Sequence, residues 1–464
     1  MFSSLIIAFV ILTATSCDEE DPNPITNPEN AYVNDWIYEN MDFWYLWNTQ
    51  LPAKPDKNLS PDEFFESLLV TEDRFSWIQD NYQELLNSLK GISKEAGYEF
   101  VLYRESESGN NVIAPILYVK HNSPAENAGL VRGDIITHVN GQQITVDNYR
   151  DLITAMKENH SLVYKSVDAE AQTMSAAKNV TVSAVEYTEN PNYLSKVIET
   201  GGRKIGYYVY NLFANGPEAG SSVYDEQMDQ IFADFKAAGI TDLVLDLRFN
   251  SGGTETAANN LASLIGLSVN NSKLFAKREY NEGVKEAILN DPSLGEDFLT
   301  SEFFTKSQNI GTQLSNGRVY ILTSSRTASA SELVINALKP YMDVFLIGDV
   351  TYGKNVGSIS IYEENDPKNQ WGMQPIVVKI YNSENKSDYS NGFTPNILDK
   401  DNSLYLYPLG DAREALLRHA IEHITGVSTS GRQARPGETR QLVGHSLDMK
   451  RSSYNLIIDH KLPK

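Results

Sequence analysis

The stretch Ser324-Ser325-Arg326-Thr327-Ala328-Ser329-Ala330-Ser331-Glu332 decides how the rest of the chain is read. It follows a short apolar run, 319–323, and opens an apolar-periodic segment, 328–338, which is the pattern of a buried strand feeding a helix. A serine at that junction stands where unpaired backbone N–H groups and the positive end of the helix dipole favour a developing anion. Acyl transfer needs such a place, so Ser329 is a candidate nucleophile. Plain helix capping by Ser or Thr is the competing reading of the same residues.

The next element outward is Thr351-Tyr352-Gly353-Lys354, just past an expected strand at 344–347. It returns a lysine to the same sheet edge, where α/β active sites assemble. A serine hydroxyl is a weak nucleophile until a base takes its proton, and a neutral amine can do so. Lysine titrates near 10.4, so a working base needs a drop of about 3 units, roughly 4 kcal/mol of desolvation. An exposed loop lysine is the alternative for Lys354. Upstream, Asp246-Leu247-Arg248-Phe249-Asn250-Ser251-Gly252-Gly253 ends another core strand. Paired glycines there let backbone approach a ligand, so Gly252 or Gly253 would join the Ala330 amide as an oxyanion hole, unless the pair is only a tight turn.

These motifs lie in a region, 200–425, where strands and helices alternate, the signature of βα crossovers and a largely parallel sheet. Strands are expected at 205–212, 243–247, 319–323 and 344–347, and helices at 224–238, 255–265 and 328–338. Strand-like runs follow at 359–362 and 376–381, then a helix at 412–424. The polar tail, 426–464, is expected to be unstructured. At 464 residues, and about 150 per domain, the chain should hold about three units. Its 41% hydrophobic content is that of a folded chain.

Residues 31–90 carry Trp36, Tyr38, Met41, Phe43, Trp44 and Trp47, then Phe64, Phe65, Leu68 and Leu69, at mostly helical spacing. A small helical domain with an aromatic core is expected. Residues 91–190 turn to short strands. The ordered set from Ser123 to Ile144, SPAENAGLVRGDIITHVNGQQI, resembles a PDZ domain closely. Gly97-Tyr98-Glu99-Phe100 then falls where PDZ domains hold a peptide carboxylate on backbone N–H groups, the next strand pairing with the peptide. A PDZ fold that only packs against the core is the alternative.

The single cysteine, Cys17, leaves no partner for a disulfide and no thiolate cluster. Residues 5–14 are apolar but well short of the ~20 needed to span a bilayer. Ala14-Thr15-Ser16-Cys17 resembles a bacterial lipoprotein processing site, which makes residues 1–17 a signal segment and Cys17 the lipidated residue. An ordinary signal peptide is the alternative, and Met1 to Ser4 lack the usual basic residues. Residues 18–30 read as a flexible tether. An exported chain, anchored to the cell envelope by lipid alone, is expected. The formal charge of -22 repels phosphate backbones, so no nucleic-acid partner is expected. The sequence carries no signal of oligomeric state.

Together, the PDZ-like segment, the Asn-Ser-Gly-Gly turn, the Ala-Ser-Ala-Ser-Glu helix start, the Tyr-Gly-Lys loop and Gly392-Phe393-Thr394-Pro395-Asn396 resemble the C-terminal processing, or tail-specific, serine peptidases over about 300 residues. The resemblance implies an α/β multidomain fold with a crotonase-like βα protease core. It implies Ser329 as nucleophile, Lys354 as base, protein or peptide substrates, and no metal or organic cofactor. One departure is Ser358, where many members carry a glutamine that supports the lysine; a serine can still accept an amine hydrogen bond. Two rival readings stand beside this. His419-Ala420-Ile421-Glu422-His423 matches the H-x-x-E-H zinc pattern, but such sites need a further distant ligand and only 41 residues of polar tail follow it. A non-catalytic, PDZ-bearing surface binder would keep the fold without the chemistry.

Overall fold

The computed structural model describes residues 26–428, 440–450 and 454–459. Cys17 and its flanks lie outside the described residues. The described residues open with helices. In α1 (Pro28–Trp44) the Asn27 side chain accepts the Asn30 N–H, and α2 (Pro61–Leu68) opens on Pro-Asp-Glu, as a helix start should. The Asn27 cap pulls the first three helical residues out of the segment expected to be a tether. β1 (Trp77–Gln79) and α3 (Tyr82–Leu89) complete the unit. Ile37, Met41, Tyr45, Phe64 and Phe65 pack there against Ile78 and Met373.

β2 (Ile92–Glu95) leads into a β-rich module made of β3 (Tyr98–Arg104), β4 (Val112–Val119), α4 (Pro124–Asn127), β5 (Ile135–Val139), β6 (Gln142–Gln143), α5 (Tyr149–Ala155), β7 (His160–Lys165), β8 (Val167–Asp168), β9 (Thr173–Met174) and β10 (Lys178–Val182). β11 (Val185–Thr188) leads out and pairs antiparallel with β2, so entry and exit form one ribbon. The sheet runs β10-β7-β5-β4-β3 over a core of Leu102, Ile116, Ile136, Leu152 and Leu162. Asn140 and Gly141 both take positive φ, 50° and 77°, which is what the two-residue β5–β6 hairpin turn requires.

The remaining elements are β12 (Asn192–Thr200), β13 (Arg203–Tyr210), α6 (Val223–Ala238), β14 (Asp242–Asp246), β15 (Gly253–Thr254), α7 (Glu255–Ile265), β16 (Leu274–Tyr280), α8 (Glu282–Asn290), β17 (Thr300–Glu302), β18 (Arg318–Thr323), α9 (Ala330–Leu338), β19 (Asp343–Gly348), β20 (Val356–Ser358), β21 (Ile361–Tyr362), β22 (Gly372–Gln374), β23 (Ile376–Tyr381), β24 (Ile397–Leu398) and α10 (Ala415–Thr425). The central sheet runs β12-β13-β14-β18-β19-β24 and is parallel from β13 onward. Strand residues alternate between its faces. Leu243, Leu245, Val319 and Ile321 face α6, α7 and α9 through Phe232, Leu261 and Leu333. Val244, Tyr320 and Leu322 face α10 through Leu416, Leu417 and Ile421. The sheet and the helices on its two faces are thus a scaffold that delivers strand ends to one edge.

The expected unstructured tail is corrected in part. β25 (Leu442–His445) adds antiparallel to β3, and β26 (Leu456–Ile457) lies between β15 and β20. Both strands are completed by partners far upstream, so local sequence gives them no signature. Two helix starts also shift. α9 begins at Ala330 because Ser329 leaves helical geometry, and α10 begins at Ala415 because Glu414 caps it by accepting the Leu417 N–H.

Candidate active site

β18 ends at Thr323, and the loop that follows is stitched to the end of β14. Ser324 Oγ donates to Arg248 O, Thr327 Oγ1 to Leu247 O, and Ser331 Oγ to Asn250 O. Ser329 is thereby held at φ 60°, ψ −112°, a region a non-glycine residue enters only when its surroundings force it. Its N–H donates to Glu332 Oε2 at 2.9 Å, one half of a capping box, and Ala330 becomes the first helical residue, whose N–H has no intrahelical acceptor.

Lys354 lies between β19 and β20. Its approach depends on Gly353 (φ 93°), where an added Cβ would stand 2.4 Å from Ser390 O. Glu332 reaches across to this loop. Its Oε1 accepts from Thr351 Oγ1 (2.6 Å) and the Gly353 N–H (2.7 Å), and its Oε2 accepts from the Lys354 N–H (2.8 Å). Burial pushes this carboxyl up to about 7 against those four donors. The sequence motif contains Glu332, but its part in binding both loops is seen only here.

The Lys354 amine is fully buried, 5.0 Å from the centroid of the Phe75 ring. Burial lowers it to about 7, while Asp73 and Glu332 pull the other way. The Phe75 neighbour also comes from beyond the motifs, out of the N-terminal unit, where Arg74 Nη2 donates to Gly353 O and Ser390 O. Ser329 is likewise 0% exposed, and neither its Oγ nor Lys354 Nζ has a hydrogen-bond partner among the described residues. A buried hydroxyl and a buried amine left unpaired are costly for a fold, and are the groups a nucleophile and its base need free.

The glycine turn meets the serine. A Cβ on Gly252 (φ 117°) would stand 2.8 Å from Ser329 Cβ, and one on Gly253 (φ 136°) would stand 2.0 Å from Phe213 O. Only glycine fits either place. The two amides differ, however. Gly252 N–H turns inward to Asn250 Oδ1 (2.9 Å), whereas Gly253 N–H donates to Asn455 O (2.6 Å). Beneath the turn, Arg248 is buried among Asp246, Asp401 and Glu414 at 2.9, 2.8 and 2.5 Å. Arg132 of the β-rich module joins Asp401 and Glu414, and so clasps that module to the core.

Ser358 sits on β20, but its Oγ donates to Gln374 Oε1 and Leu456 O, and Lys354 Nζ is not its partner. In the Gly97-Tyr98-Glu99-Phe100 segment, Tyr98, Glu99 and Phe100 belong to β3, and Tyr98 OH meets His160 Nε2. Glu99 is buried, which alone would raise its pKa, but Lys450 and Lys120 hold it at about 2. The Phe100 N–H, expected to face a peptide carboxylate, donates to Ser446 Oγ (3.0 Å). A cavity of about 780 Å³ opens between this segment, α3 and the core, with Phe100, Met156 and Lys450 among its walls. His419 pairs with Asp399, and His423 bonds to Tyr320 OH and packs on Phe345, so the two do not converge.

Against known proteins, a model of peptidase family S41 matches residues 204–398, one of the peptidase S41 N-terminal domain matches residues 32–77, and one of the PDZ domain matches residues 116–165. The chain is 24% identical over 345 residues to the C-terminal processing peptidase, chloroplastic, of Tetradesmus obliquus, covering 71% of this chain and 66% of that protein. It is 27% identical over 283 residues to the "Probable CtpA-like serine protease" of Staphylococcus aureus (strain N315), covering 60% of this chain and 50% of that protein. It therefore spans between half and two thirds of the length of these curated relatives. Among solved structures, a candidate S41 protease from Bacteroides fragilis NCTC 9343 is 29% identical with a TM-score of 0.69, covering 84% of this chain and 97% of that one.

Proposed function

We propose, from the peptidase family S41 core that this chain carries behind that family's N-terminal domain and a PDZ domain, that it is a serine endopeptidase acting on protein or peptide substrates through Ser329 and Lys354. The observation that carries the reading is the pair of fully buried, unpaired groups, one hydroxyl and one amine, whose backbones hang on a single Glu332 oxygen. With its pKa at about 7, half of the Lys354 amine is neutral at pH 7, against about one part in 3,000 for an ordinary lysine.

In this mechanism the neutral Lys354 amine takes the Ser329 proton as Oγ attacks the substrate carbonyl carbon. The tetrahedral oxyanion is received by the Gly253 and Ala330 N–H groups. As the C–N bond breaks, the Lys354 ammonium gives its proton to the departing amine, leaving an acyl-Ser329. Water, deprotonated by the same amine, then adds to that ester; as the acyl C–Oγ bond breaks, the Lys354 ammonium returns its proton to Ser329 Oγ and the carboxylic product leaves. Glu332 takes no proton from substrate; its carboxylate fixes the two loops on which the dyad rides.

The PDZ module would select substrates by strand addition to β3, and Cys17 would tether the exported enzyme to the cell envelope. Support for the first is the Gly97 to Phe100 segment at the start of β3, whose outer edge already accepts a strand in β25, and for the second the Ala-Thr-Ser-Cys sequence.

A time-resolved digest of casein and defined peptides by wild type, Ser329→Ala and Lys354→Ala tests the chemistry. Equal rates in all three would end it. Peptides with free and amidated C-termini test the PDZ role, and a Cys17→Ser chain that stays in the membrane fraction would remove the anchor.

A further inference from the structure

We propose that the chain blocks its own peptide track, residues 442–449 filling the PDZ groove and residues 454–458 filling a strand slot beside Ser329, so that the peptidase is self-inhibited until they are displaced. The inference rests on the peptidase reading above and says which conformation of it is at hand.

Three things a substrate would use are taken by these residues. The first is the edge of β3: Leu442, Gly444 and His445 lie opposite Tyr103, Leu102 and Val101, while Val443 packs against the module's core, and a Cβ on Gly444 would touch Leu102 and Tyr149 of α5. An extended segment between β3 and α5 is strand addition by the chain itself. The second is the Phe100 N–H, which Ser446 Oγ accepts, with Ser446 also bonded to Glu99 Oε2 and Lys450 paired to Glu95 and Glu99. The third is the Gly253 N–H, held by Asn455 O.

Beyond Asn455 the slot is a full strand position. Leu456 and Ile457 lie opposite Gly253 and Thr254 of β15, Ile457 opposite Ser358 of β20, and the Ile458 N–H donates to Ser358 O. Leu456 and Ile458 are buried in the main core. A Cβ on Gly252 would lie 2.3 Å from Asn455 O and 2.8 Å from Ser329 Cβ, so this carbonyl stands at the point where the glycine turn touches the nucleophile. Trp77 Nε1 donates to Asn455 Oδ1, and Tyr454 stacks on Tyr352 at 4.1 Å. With Ser329 and Lys354 wholly out of solvent, something must move before a peptide can reach them, and these residues are what lies against that turn.

Chain direction argues for an inhibitor over a substrate. A substrate held in the groove by its tail presents an upstream bond to the serine, whereas here the groove-bound part, 442–449, precedes the site-bound part.

The test is a reversible lock. Tyr103 and Leu442 are opposed in an antiparallel pair, where Cα separations of about 4.5–5.5 Å suit a disulfide. A Tyr103→Cys/Leu442→Cys protein is assayed oxidised and reduced, beside a Ser446→Glu protein in which a second carboxylate is set against Glu99. Two readouts are used: cleavage of a defined peptide, and binding of a fluorescein-labelled peptide with the sequence of residues 440–459. Oxidation should lower both at least tenfold, reversibly, and Ser446→Glu should raise both at least threefold over wild type. If cleavage is absent throughout but binding changes as stated, the blocking role stands and the peptidase reading falls. Equal binding in locked, reduced and Ser446→Glu proteins overturns the blocking role, as does an intact mass showing that the chain cuts itself after Asn455.

Discussion

The backbone amides of Ser329 and Lys354 donate to one and the same oxygen, Oε2 of Glu332, at 2.9 and 2.8 Å. The two residues lie on different loops, and a single carboxylate sets the distance between them. A carboxylate oxygen accepts two N–H groups; an amide nitrogen in its place accepts none.

Glu332→Gln is therefore expected to lower kcat about a hundredfold, in line with other losses of a positioning contact, while KM changes little. Losing the negative charge also removes a contribution that raises the Lys354 pKa, so the acid limb of the rate should move to lower pH. Steady-state kinetics from pH 5 to 9 checks both. A fall in kcat with an unmoved limb would reduce Glu332 to a purely structural group.

For wild type, kcat/KM should rise with pH through about 7. Below that value Lys354 carries its proton and Glu332 loses its charge, and both changes act against catalysis. The limb should be steeper than one proton allows. A profile of unit slope, or one centred near 10, would contradict a buried neutral base.

Lys354→Met should abolish cleavage and stabilise the fold. Burial depresses the amine from 10.5 to about 7, so below pH 7 the folded state carries a penalty of roughly 5 kcal/mol relative to the unfolded chain. The unfolded chain binds the extra proton between about 7 and 10.5, so wild-type stability rises with pH across that window and the variant's advantage shrinks. Urea unfolding at pH 6 and pH 10 gives the two gaps. A variant no more stable at pH 6 than at pH 10, each relative to wild type, would refute the assignment.

Arg132→Met opens the clasp between the PDZ module and the core, leaving Asp401 and Glu414 with Arg248 alone. Removing one partner from a buried ion cluster costs about 3–5 kcal/mol. Thermal unfolding should fall by several degrees, and hydrogen exchange should quicken at Leu117 and Tyr407, whose carbonyls Arg132 now holds. Unchanged exchange there would place the junction elsewhere.

Much of this is legible in the chain because the pattern is local. Val319 to Thr323 alternates between two cores, and the Ser329 helix start, the Tyr-Gly-Lys loop and the Gly252-Gly253 turn each sit where a strand must end. Glu332 carries a local signal as well, the S-x-x-E capping pattern, but the pattern predicts only the bond to Ser329 and not the reach to Lys354. Phe75, Arg74 and Asn455 give no signal, because their meaning arises from contacts across hundreds of residues. Ser358 fails as the lysine's support for a geometric reason: it is drawn into β20, where Gln374 and Leu456 take its hydroxyl. The strands of the tail are a few residues long and gain order only from the sheets they join.

β2 and β11 carry the chain into the PDZ module and out again, bonded side by side from Ile92 to Glu95 and Val185 to Thr188. A module spliced in through one double-ply stem behaves as a cartridge. Its ends already meet, so another module carried on the same stem could take its place while the parallel sheet that follows keeps its own path.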